Sequence, residues 1–184
     1  MSGMNTDARV GGSFLSSLGA ANRLGADLNI PELILAIQVE RGQILDKQIK
    51  GQMEDMQKRN EWLRDANAAL AAMRNNRPTT DSDGKPSYGT FTDANGRKQD
   101  VATWARANGI DVPTAPDHHG IKQSQFDAAI QNMKSSIDTV NNQSQMDMVR
   151  LQGLMDKRNQ AFDMMTNTLS KTGKSLDSVI SNMR

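Results

Sequence analysis

From Phe126 to Met183 the apolar residues recur at helical spacing almost without a break: Phe126, Ile130, Met133, Ile137, Val140, then Met148, Leu151, Met155, Phe162, Met165, Leu169, Leu176, Ile180 and Met183. Steps of three and four place them on one face of an α-helix, and no proline interrupts the run. At ~1.5 Å per residue, a single helix over this stretch is about 85 Å long. That exceeds any compact domain a chain of this size makes, so the helix needs a partner along its length. A second run supplies one. Asn29 is a candidate N-cap and Pro31 sits where a first-turn proline is tolerated. From there Ile34, Ile37, Ile44, Leu45, Ile49, Met53, Met56, Leu63, Ala66, Leu70 and Met73 keep helical steps until Arg77-Pro78 ends them. Within that run Ile37, Leu45, Ile49, Met53, Met56, Leu63, Leu70 and Met73 form the face expected to meet the longer helix.

Between the runs the pattern changes. Asp83-Gly84, Tyr88-Gly89 and Asn95-Gly96 are turn signals, and Pro86, Pro113 and Pro116 break regular structure. Asn95-Gly96, between Gly89-Thr90-Phe91-Thr92 and Arg97-Lys98-Gln99, marks a small hairpin. Asp100 is placed to cap a short helix over Val101 to Asn108 that Gly109 closes, with Trp104, Phe91 and Tyr88 as a local cluster. The expected organisation is a flexible N-terminal segment (1–28), a first long helix (29–76), a central cap (77–121) and a second long helix (122–184). The fold class that follows is all-α: a long antiparallel two-helix coiled-coil hairpin, with a short hairpin and short helix as an irregular cap between the helices. Candidate breaks in the helices are Gly42, Gly51, the polar patch Asn141 to Gln145 and Gly173. The step from Ser144 to Met148 is a stutter in the heptads, which locally unwinds a supercoil. On the first helix, Asp46–Lys50, Glu54–Lys58 and Asp55–Arg59 stand as acid-before-base pairs at i,i+4.

Composition agrees with a rod more than a globule. Hydrophobic residues make up 36% and aromatics 4% of the 184 residues, enough for stripes on helices and thin for a rounded core. Lys and Arg number 22 against 21 Asp and Glu, so no one-signed field draws nucleic acid or an anionic membrane. There is no cysteine, which removes disulfide and thiol chemistry. The N-terminal residues lack the basic start and solid apolar run of a cleaved secretory signal. The longest strongly apolar run, Leu33 to Ile37, is far short of the ~20 residues a membrane span needs.

Sites of chemistry fail on inspection. Gly173-Lys174-Ser175 ends like a phosphate-binding loop, but Thr168 stands where the first glycine is required. The stretch from Thr79 through Asp81, Asp83 and Gly84 to Thr90 resembles a calcium loop, with threonines in place of its first and last acidic ligands. His118-His119, the only histidines, have no further ligands beside them. No nucleophile and base, and no pair of carboxylates in a pocket, can be assembled. Neither catalysis, a metal nor a cofactor is expected. Asn142-Gln143-Ser144 matches a glycosylation triplet but falls within a helix.

The 12 methionines have two readings that the sequence leaves open: flexible core filling, or adaptable surface for contacts between copies. A second apolar face at Met146, Val149, Leu154 and Met164 lies beside the main stripe, wider than one hairpin partner covers. The candidate assembly residues are therefore Ile130, Met133, Ile137, Val140, Met148, Leu151, Leu154, Met155, Phe162, Met165, Leu169, Leu176 and Ile180.

The segment Ser144-Gln145-Met146-Asp147, followed by LQGLMDKRNQAFDMMTNTLSK and a terminal SVISNMR, resembles the EspA-like filament and needle-tip proteins that bacterial type III secretion systems export. The likeness extends over residues 30–75 and 122–184. It implies a secreted structural subunit, exported to the cell surface without a cleaved signal peptide, that self-assembles into a helical polymer or tip ring. Its implied partners are other copies, the needle subunit, the translocators and a cytosolic secretion chaperone that covers the C-terminal helix before export. The alternative is a cytosolic coiled-coil adaptor or chaperone-like protein.

Overall fold

The computed structural model describes residues 30–114 and 120–182. Segment 1–28, Asn29, His118, His119 and Met183, and the side chains of Leu176 and Ile180, lie outside the described residues. The chain order is α1 (Ile30–Asn76), β1 (Thr90–Thr92), β2 (Lys98–Asp100), α2 (Val101–Ala107) and α3 (Gln123–Asn182). The residues form two compact units, Ile44–Arg158 and the pair of segments Met1–Gln43 and Asn159–Arg184.

In the Ile44–Arg158 unit, α1 and α3 pack antiparallel as a hairpin. Among the described residues, three ion pairs cross between them and record the register. Arg77 meets Asp127, Arg59 meets Asp147, and Arg158 meets Asp46. The residue numbers of each pair add to 204, 206 and 204, so residue i of α1 faces residue ~205−i of α3 throughout the unit. Arg77 grips Asp127 with two bonds, Nε to Oδ1 at 2.7 Å and a terminal nitrogen to Oδ2 at 2.8 Å. This departs from the i,i+4 reading of Asp46 and Arg59. Both charges point at the opposite helix, because 46 and 59 lie close to the stripe that faces it. The local pair that does form is Lys50–Glu54, at 4.0 Å and exposed.

The core sits at the cap end. Ala66, Ala69, Leu70 and Met73 of α1 meet Phe126, Ala129, Ile130, Met133 and Ile137 of α3, and Tyr88, Phe91, Val101, Ala105, Ile110, Val112 and Ile121 of the cap close over them. Met73, Met133 and Phe126 are fully buried. Each such side chain contributes ~1.5–3 kcal/mol relative to solvent. The cap is thus a third layer on one core, not a core of its own. The sequence places Tyr88 beside Trp104. In the structure Tyr88 packs its ring on Phe126 at 4.7 Å between centroids, while Trp104 meets Phe91 edge-on and Trp62 of α1.

The cap is pinned by backbone geometry. β1 and β2 pair antiparallel with Phe91 opposite Gln99. Their connection is a longer turn over Asp93–Arg97 rather than a two-residue one; Gly96 N–H donates to the Asp93 carbonyl, and Gly96 has φ +78°. Asp100 caps α2, its carboxylate accepting from Thr103 N–H at 2.9 Å. Lys85 and Ile121 form an isolated antiparallel bridge that brings the chain back to α3. Gly120 precedes it at φ +75°, and a Cβ there would stand 2.8 Å from the Lys85 carbonyl oxygen, so the bridge requires glycine.

The other unit contains the described parts of Met1–Gln43 and Asn159–Arg184. Gln38 and Ala161 are buried in it, and the Gln38 Oε1 has no hydrogen-bond partner among the described residues. The helices continue through every candidate break: Gly42, Gly51, Asn141 to Gln145 and Gly173 are all helical. A Cβ at Gly42 or Gly51 would meet nothing within 4 Å, so neither glycine serves a close helix contact. The hydrogen bonds of the long helices and the stripe between them outweigh the ~1 kcal/mol that each glycine costs.

Candidate interaction surface

The candidate assembly residues separate according to where the cap reaches. Ile130, Met133 and Ile137, beside the cap, are buried, and Val140 is partly buried. Past residue 144 the cap no longer lies over α3 and the same stripe opens. In the Ile44–Arg158 unit Met148 is 61% exposed, Val149 71% and Met146 64%; Met155 is also exposed, while Leu151 and Leu154 are partly covered. In the other unit Phe162, Met164 and Leu169 are exposed and Met165 is partly covered. On α1, Leu45, Leu70 and Met73 are buried and Ile37, Ile49, Met56 and Leu63 partly so. Met53, expected on the partner face, is the exception in burial. It stands 57% exposed.

Ile49, Met53 and Met56, with Leu151 from α3, line an open apolar groove of about 750 Å³ along α1. The opposite side of the hairpin carries a polar cleft of about 530 Å³ where Trp62, Asn108, Asn132 and Ser136 meet. Its polar groups are bound to one another. Trp62 Nε1–H donates to Asn108 Oδ1 at 2.9 Å, Asn132 donates to the Asp111 carbonyl at 3.0 Å, and Ser136 donates to the Asn132 carbonyl at 3.0 Å. That cleft holds the cap to the helices.

The titrating groups with displaced pKa values are also structural. Burial raises Tyr88 to about 12, and its hydroxyl donates to the Pro113 carbonyl at 2.7 Å. Asp93 is held below the usual carboxylate range, first by the Arg97 backbone N–H, which donates to Oδ1 at 2.8 Å. Asn95 N–H and the Gln99 side chain bond the same carboxylate. Asp127 is lowered and Arg77 raised by their shared hydrogen bonds. Asp81, from the stretch that resembles a calcium loop, caps α3 instead: its carboxylate accepts from Ser124 N–H at 2.9 Å. Asp65 likewise accepts from Ala94 N–H at 2.6 Å and ties the hairpin turn to α1.

Among the described residues no three His, Asp or Glu side chains converge as a metal site, and no helix is long and apolar enough to cross a membrane. Comparison with known proteins gives no match among family models, curated proteins or solved structures. Interpretation therefore rests on the surface itself. Two features escape a reading of periodicity: the Trp62–Asn108 tie, whose partners are 46 residues apart, and the inter-helix ion pairs. The second had a signal, since Arg77 and Asp127, Arg59 and Asp147, and Asp46 and Arg158 are opposite charges whose numbers sum to within two of each other.

Proposed function

We propose that the chain is a non-catalytic structural subunit exported by a type III secretion system. It assembles with copies of itself into an extracellular filament or needle tip that links the needle to the translocators, and a cytosolic chaperone holds it before export. The observation that carries this reading is the row of exposed apolar side chains on α3 past the cap, Met146, Met148, Val149 and Met155 in one unit and Phe162, Met164 and Leu169 in the other. Water-exposed Met, Val, Phe and Leu at this density mark a surface used for contacts. The likeness of Ser144 to Lys171 to the EspA-like proteins supplies the kind of assembly.

Negative-stain electron microscopy of the purified chain tests it, with the culture supernatant assayed for the intact protein. Polymers are expected, and Val149→Asp is expected to abolish them with helix content unchanged, because Val149 touches little within its own chain. Small monodisperse particles under all conditions, with the protein retained inside the cell, overturn the proposal in favour of a cytosolic coiled-coil adaptor.

A further inference from the structure

We infer that the groove on α1 is a two-fold interface at which a second copy of this chain docks its own α1, antiparallel, with the symmetry axis near residue 55. The groove floor is Ile49, Met53 and Met56, and Met53 is the most exposed of the three. Its rim is charged in a pattern that complements itself only in reverse. Asp46 and Arg64 lie at the two ends, each nine residues from position 55; Lys50 and Glu61 lie inside them, five and six residues from it. Laying a second α1 antiparallel about residue 55 sets Asp46 opposite Arg64, and Lys50 opposite Asn60 with Glu61 one residue on, each twice; Glu54 of each copy, one residue from the axis, keeps Lys50 of its own helix as counter-charge. Met53 and Met56 of both copies then meet at the centre, where methionine adapts its shape to a close neighbour. A parallel copy in register would set Asp46 on Asp46 and Lys50 on Lys50, which is repulsive. An antiparallel, isologous contact is also the form that closes on itself.

The charges are available in the measure this needs. Arg64 has no ion pair among the described residues. Glu61 accepts a hydrogen bond from the Gln57 side chain, and Lys50 has only the long contact with Glu54. Asp46 already holds Arg158, so Arg64 of the second copy joins an existing pair. The inference goes beyond the export reading and does not depend on it, since the groove excludes Val149.

Sedimentation equilibrium of the full chain, at several micromolar concentrations and two salt levels, tests it. A reversible dimer that weakens with salt is expected. Glu61→Lys places like charges near Lys50 at both symmetric positions and is expected to weaken the dimer roughly tenfold or more. Adding Lys50→Glu to it restores the attraction and is expected to recover the dimer, while Met53→Asp abolishes it. Circular dichroism checks that helix content is unchanged in each variant. The chain has no cysteine, so Met53→Cys supplies a single thiol, and a short bismaleimide is expected to link two copies. Ser135→Cys, in the polar cleft on the opposite side, is expected to stay unlinked. A monomer at every concentration overturns the inference and leaves the groove to a different protein. A dimer indifferent to the charge swap, or linked equally through Ser135→Cys, overturns it as well. Loss of polymers with Val149→Asp while the dimer persists separates this interface from the assembly row on α3.

Discussion

At the scale of single residues, the cap is fixed by side chains whose task is to occupy backbone donors and acceptors. Asp93, Asp100, Asp81 and Asp65 each receive at least one main-chain N–H, and Tyr88 gives its proton to the Pro113 carbonyl. Tyr88 is also the only tyrosine, so its titration is readable without interference. Its ionisation is raised from 10.0 to about 12 by burial. The folded state thus holds the neutral phenol where the unfolded chain releases the proton. The stabilisation is complete below pH 10 and is lost as pH rises toward 12. Phenolate absorbance is expected to appear near pH 12 in the native protein and near pH 10 in denaturant, and Tyr88→Phe is expected to flatten that alkaline loss of stability. A native midpoint at the ordinary value would show the ring to be solvated. The capping role of Asp100 was legible in the sequence, because its partner lies three residues on. Asp81 was not: its partner, Ser124, is 43 residues away, and its neighbours mimic the start of a metal loop.

At the scale of elements, α1 and α3 hold together within the Ile44–Arg158 unit through one stripe and, among the described residues, three crossing ion pairs. The stripe and the hairpin topology follow from periodicity and the turn-rich centre, and both were legible. Which charges cross was obscured because Asp46 and Arg59 also have opposite charges four residues away on their own helix. Among the three pairs, Arg59–Asp147 is the least exposed, with side-chain exposures of 26% and 13%. Removing one partner strands a largely buried charge, whereas removing both leaves an apolar contact of similar size. In denaturant melts, Arg59→Met and Asp147→Leu singly are each expected to cost more than the double variant. Costs that simply add would mean that the pair is no more than two solvated charges.

At the scale of the whole molecule, the sequence conveyed that the apolar surface exceeds what one hairpin covers. It did not convey where the excess lies. Within the Ile44–Arg158 unit, Phe126 to Val140 and Met148 to Met155 belong to a single periodic run, yet the first part is largely covered and Met148 and Met155 are exposed, because the cap covers only the first. A cap of three short elements and a few loops leaves no mark on the periodicity of α3. The same limit hid the groove on α1, since Met53 keeps step with the stripe and yet stands exposed. The proposed polymer and the inferred dimer draw on these two bare surfaces separately, through Val149 and Met53, so each is removable without the other.

The nearly constant sum of the crossing pairs makes the hairpin a ruler with matched graduations. A deletion in one arm alone shifts every pair beyond it by that many residues, and one that is not a whole heptad also turns the stripe away from its partner. Equal seven-residue excisions, 48–54 from one arm and 151–157 from the other, keep both arms in phase and leave Arg59 with Asp147 and Asp46 with Arg158. The shortened pair is expected to melt cooperatively, whereas either excision alone keeps the stripe in phase but parts Asp46 from Arg158 and is expected to melt at a lower temperature. Length in this protein is therefore a property of the two arms jointly, and any change in it has to be made twice.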